Sequence, residues 1–182
     1  MKEANLIVIR HQHQGEIVVE NLLNYMIGSY FADDTGILTN NVRQDTLEHM
    51  IEDMYRVQDN LNMENHRRMF HIVLSTRPSK VSQTVVENGA YTLLEYFKML
   101  GHQAVFVPHY GSEKNINNFH YHVAVNPICY INGNRLLDKF ETYNTFTEYL
   151  NLNTINRWGW KFHNKPYANT DGWCDKSQIL LK

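Results

Sequence analysis

His109–Tyr110–Gly111–Ser112–Glu113–Lys114–Asn115–Ile116–Asn117–Asn118–Phe119–His120–Tyr121–His122–Val123–Ala124–Val125–Asn126 holds three of the chain's ten histidines and decides how the rest is read. Phe119 to Asn126 reads as a strand. Strand side chains alternate between faces, so His120 and His122 point one way and Tyr121 the other. Upstream, His102 to Pro108 reads as a second strand, with Ala104 to Val107 apolar. The Asn-, Gly- and Ser-containing stretch from Tyr110 to Asn118 makes the loop between them. Pairing 103–109 with 120–126 as an antiparallel hairpin sets His109 opposite His120. Cross-strand neighbours on one face have Cβ atoms roughly 5 Å apart. Three imidazoles then converge, enough to hold a cation and leave positions open for substrate. The apolar run Val123 to Val125 argues for a buried strand rather than an exposed pair of histidines.

Outward from the hairpin, elements of both kinds appear. Asn5 to Arg10 is a short run rich in β-branched residues and reads as a strand. Glu16 to Tyr30 is helical, with Val18, Leu22, Tyr25 and Met26 at three- and four-residue steps. Asp33–Asp34–Thr35–Gly36 is turn chemistry. Gln44 to Leu61 is a second amphipathic helix, and Met69 to Thr76 a strand closed by Arg77–Pro78. Ser82 opens a third helix that runs to Leu100 and stops at Gly101. Ile128 to Leu137 reads as the continuation of the Phe119–Asn126 strand into a hairpin turned by Asn132–Gly133–Asn134. Thr142 to Ile155 reads as a last helix, and the segment from 156 to 182 as an irregular C-terminal cover or a short hairpin. The fold class is α+β, a mainly antiparallel sheet with helices packed on it. The chain reads as a single domain, 1–182.

Composition sets the outer bounds. With 182 residues, 43% apolar and 20% charged, the chain can bury an ordinary core. A net charge of −2 argues against a nonspecific nucleic-acid coat. The two cysteines, Cys129 and Cys174, make neither a disulfide framework nor a metal spacing, which fits a reducing cytoplasm. No run approaches the ~20 apolar residues of a membrane span.

The segment His109 to Asn126 resembles the metal motif of the relaxases, plasmid-mobilisation nucleases of the histidine–hydrophobic–histidine (HUH) endonuclease superfamily. That pattern is an upstream His, a polar loop, then His-x-His followed by apolar residues and Asn. Pro127 to Leu137 is similar to the hairpin that follows the motif in mobilisation relaxases. The resemblance implies nicking of one DNA strand at an origin of transfer. A tyrosine attacks the scissile phosphate and becomes linked to the 5′ end, while Mg²⁺ or Mn²⁺ polarises the phosphate. It implies single-stranded DNA as partner, with accessory DNA-binding proteins and no membrane.

In mobilisation relaxases the tyrosine comes early, near the first helix. Glu20 to Ile27 resembles the family's segment ahead of its catalytic tyrosine, which makes Tyr25 the first choice and Tyr30 the second. Tyr25 is also spaced as a core residue. Tyr143 and Tyr149 stand where replication initiators place theirs, without the Tyr-x-x-Lys pattern. His11 and His13 are a second His-x-His, open to a nucleophilic role or to a surface one. Glu113 is the acid in the loop after His109, and Asn126 a candidate support for metal or phosphate geometry. Arg77, Ser79 and Lys80 could contact DNA phosphate or form a solvated helix approach. Two readings compete with the nuclease: a DNA-binding domain of this fold without a working tyrosine, and a three-histidine zinc hydrolase.

Overall fold

The computed structural model describes residues 2–9, 17–59, 68–76, 82–111 and 118–167. Six strands form one sheet: β1 (Lys2–Ile9), β2 (Leu38–Asn40), β3 (Phe70–Thr76), β4 (His102–Tyr110), β5 (Phe119–Cys129) and β6 (Trp160–Tyr167). Their order is β2-β4-β5-β3-β1-β6. All neighbours are antiparallel except β1 and β6, which run parallel. Four helices cover the sheet: α1 (Val18–Ile27), α2 (Leu47–Gln58), α3 (Ser82–Leu100) and α4 (Phe140–Trp158).

The alternation within the strands builds two cores. Ala4, Leu6, Val8, Phe70, Ile72, Leu74, Phe106, Tyr121 and Val123 face α3 and α4, which contribute Val86, Ala90, Leu93, Phe97, Tyr143, Phe146 and Leu150. Val105, Val107 and Ala124 face α1 and α2, where Leu22, Leu23, Met26, Met50 and Met54 pack on them. β5 is buried along its whole length because both of its faces are covered. The sheet therefore separates α1 and α2 from α3 and α4.

Local signals explain the helix bounds. Thr46 caps α2, its side chain accepting from the His49 N–H at 3.1 Å. Gly101 ends α3 at φ 74°, and a Cβ there would lie 2.6 Å from Ile131 Cδ1. Gly89 lets α3 approach β6, since a Cβ would lie 2.6 Å from Phe162 Cζ.

The structure corrects three sequence readings. Residues 38–40 form a strand not anticipated, added to the outer edge of β4. The expected hairpin from Ile128 to Leu137 shrinks to the end of β5, a turn, and one bridge between Ile128 and Arg135. The start of the expected irregular cover is the last turn of α4 followed by β6, whose neighbour β1 supplies backbone partners that a local reading could not foresee. Residues 168–182 lie outside the described residues.

Candidate metal centre and nucleophile

His109 pairs in register with His120, and Val107 with His122, so the β4–β5 ladder brings all three histidines to the face covered by α1. One ring nitrogen from each lies within 4.8 Å of the others. All three are buried. The His120 and His122 Nε2 atoms are 3.1 Å apart.

Hydrogen bonds orient two of the rings. His109 Nε2 is 2.7 Å from the Met26 carbonyl, in the last turn of α1. His120 Nδ1 is 2.9 Å from the Asn118 carbonyl. A carbonyl only accepts, so each of those nitrogens carries the hydrogen and its ring partner keeps a lone pair. His109 is thus left with Nδ1 and His120 with Nε2 as candidate ligand atoms. Neutral imidazoles held this way by carbonyls are the usual form of a metal-ligating histidine. The 3.1 Å spacing also fits a shared ion: two ligand atoms, each roughly 2.1 Å away at right angles, lie about 3 Å apart. Ser75, in register opposite His120, has a buried hydroxyl with no hydrogen-bond partner among the described residues, and Asn118 Oδ1 is in the same condition. The donor set suits a divalent cation with further oxygen ligands.

A fourth histidine joins the three. His71 on β3 is 2% exposed, and its Nε2 lies 2.8 Å from His122 Nδ1. The sequence offered no signal for it, because β3 pairs with β5 and not with its chain neighbour. Once that pairing is known, alternation sets His71, Val73 and Ser75 against Ala124, His122 and His120.

Of the candidate tyrosines, Tyr25 is the one brought to the histidines. Its ring stands edge-on to His122 at 5.4 Å between centroids and to His71 at 5.9 Å. Tyr25 is 37% exposed, so one side stays open to a ligand. Burial pushes its phenol up to about 12. Tyr30 lies beyond the end of α1, 95% exposed, with its ring against Phe31. Tyr143 is fully buried and donates to Asp138, and Tyr149 packs on Tyr96 at 4.5 Å. Both belong to α4, on the other face of the sheet.

Asn126 is placed away from this cluster. It lies four residues beyond His122 on β5, or roughly 13 Å at the rise of a strand. Its Nδ2 donates to the Met54 carbonyl and to Gln103 Oε1, each at 2.9 Å. Its Oδ1 accepts from Gln58 Nε2 at 3.2 Å and from the Ile128 N–H at 3.1 Å. The amide is saturated and ties α2 to the sheet. At that same end a cleft of about 430 Å³ is lined by Arg43, Arg56, Asp53 and Gln103. Both arginines there are paired with Asp53. Glu113, Arg77, Ser79, Lys80, His11 and His13 lie outside the described residues.

The family model for the relaxases, described as the MobA/VirD2-like nuclease domain, matches residues 27–155, well over half the chain. The α+β fold, with its mostly antiparallel six-strand sheet, agrees with that match. The chain belongs to the relaxase family, whose nuclease domains nick DNA. The matched segment contains all three clustered histidines and begins just after Tyr25. No curated protein and no solved structure matches the chain. No described helix is long and apolar enough to cross a membrane.

Proposed function

We propose that this chain is a metal-dependent, site-specific single-strand DNA endonuclease that acts at an origin of transfer through Tyr25. The observation that carries the reading is Tyr25 standing edge-on to His122, above the cluster of His109, His120 and His122. A bound Mg²⁺ or Mn²⁺ would supply charge neutralisation at a non-bridging phosphate oxygen. The phenol oxygen of Tyr25 then attacks phosphorus in line. The bond from phosphorus to the 3′ oxygen breaks, the 3′ hydroxyl leaves, and a 5′-phosphotyrosine forms as the phenol loses its proton. Positioning and electrostatics supply most of the catalysis in such transfers. Ligation is the same step reversed, which fits a nicking and joining enzyme. Accessory DNA-binding proteins and a cytoplasmic setting belong to this reading, as does DNA contact by Arg77 and Lys80 and an orienting role for Glu113.

The test is a covalent trap. Purified protein, Mn²⁺ and single-stranded DNA spanning the transfer origin of its own replicon are mixed and run under denaturing conditions. An SDS-stable adduct is expected, lost in Tyr25→Phe and kept in Tyr30→Phe. DNA binding without an adduct would make the chain a non-catalytic DNA-binding member of the fold. Zinc-dependent hydrolysis of a small ester, with no DNA binding, would overturn the nuclease reading.

A further inference from the structure

Two of the three clustered histidines rest on backbone carbonyls: His109 on Met26 and His120 on Asn118. The third does not. The neighbour of His122 Nδ1 is a side chain, His71 Nε2, at 2.8 Å. The two rings are tilted by 34° with centroids 5.1 Å apart. His122 Nε2 faces His120 Nε2, so that nitrogen is the one turned toward the shared ion position. For Nε2 to present a lone pair, Nδ1 must carry the hydrogen and donate it. His71 Nε2 stands at acceptor distance from it, which places its lone pair toward His122 and the hydrogen of its own ring on Nδ1.

We propose that His71 is the positioning residue for His122: an imidazole that accepts from His122 Nδ1–H and so fixes the metal-binding tautomer and ring orientation of that ligand. This rests on the metal-centre reading above and adds to it a residue on β3. A carbonyl cannot be replaced by mutation, so of these three supports the His71 ring is the one a side-chain change can test. The same ring touches Tyr25, so His71 also sets one wall against which the candidate nucleophile stands.

Removing an outer partner of a ligand histidine lowers metal affinity by roughly 10- to 100-fold. The experiment is Mn²⁺ titration of the full chain without DNA, followed by electron paramagnetic resonance of the free ion. His71→Phe should weaken binding 10- to 100-fold. His71→Gln, which offers an amide oxygen near the position of Nε2, should recover most of the loss. Thermal unfolding without metal reports whether each variant folds. A second measurement uses the unaltered protein: long-range ¹H–¹⁵N spectra with Mg²⁺ or Zn²⁺ bound. They should show the hydrogen on His122 Nδ1 and a bare His71 Nε2. Failure of the unaltered chain to bind any of these ions would remove the metal-centre reading itself. If that chain binds but His71→Phe binds equally tightly, or the spectra place the hydrogen on His71 Nε2, the role of His71 is overturned.

Discussion

Replacing Asn126 by Ala separates a scaffold role from a metal role. The side chain makes four hydrogen bonds, and the change removes all of them. Gln58 Nε2 keeps the Arg68 carbonyl at 2.8 Å, and the Met54 carbonyl belongs to a helix that can satisfy it. The Ile128 N–H and Gln103 Oε1 lose the partners described for them, in a region closed to solvent. Each buried group left unpaired costs about 1–3 kcal/mol. Two such groups cost about 2–6 kcal/mol in all. Whole domains have only about 5–15 kcal/mol. At about 2–4 °C per kcal/mol for a chain of this size, the melting temperature should fall by roughly 4–24 °C. Calorimetry measures that drop, and a Mn²⁺ titration at a temperature where the variant is folded measures the other half. Affinity should stay within about threefold of the parent, by a factor too small to need more than ~0.7 kcal/mol. A tenfold loss of Mn²⁺ affinity with little change in melting would refute the placement and return Asn126 to the metal centre.

Three further outcomes are expected. Burial works to raise the Asp53 carboxyl, but bonds from the Arg43 side chain and backbone N–H, with the nearby Arg56 charge, hold it below the ordinary carboxylate value. Its contribution is therefore complete above about pH 4 and is lost as pH falls through the lower native value, so urea midpoints should drop more steeply below pH 4 in the parent than in Asp53→Asn. Gly89→Ala should cost about 1–2 kcal/mol, because the new Cβ meets the buried Phe162 ring; stabilisation, as at an open helix glycine, would contradict that packing. Thr46→Ala should lower stability by about 1 kcal/mol in denaturant unfolding through loss of the α2 cap.

What the sequence revealed was local. The bounds of α3 follow from Ser82 and Gly101, and the pairing of His109 with His120 follows from strand alternation plus one loop. What it hid was non-local. His71 lies on β3, and nothing in Phe70 to Thr76 tells that strand to pair with β5. β2 is three residues long, too short to show a period. β6 finds its partner at the opposite end of the chain. Asn126 is the last residue of the motif segment, yet its side chain points into a separate polar cluster. The resemblance of Glu20 to Ile27 ranked Tyr25 ahead of Tyr30, and the end of α1 separates them in space: Tyr25 lies within its last turns, and Tyr30 follows Gly28.

The parallel pairing of Lys2–Ile9 with Trp160–Tyr167 joins segments far apart in the chain, which bears on how the sheet assembles. β1 is made first, yet one of its edges waits for a strand made more than 150 residues later. Contacts of such long range close slowly, because the intervening chain must surrender its entropy before they form. Until then the β1 edge is an open template for another chain. The β3–β5–β4 ladder that carries the four histidines spans a shorter stretch and can pair without β6. The histidine cluster can therefore take shape on a sheet that is still unfinished at one side, before the β1–β6 pairing closes it.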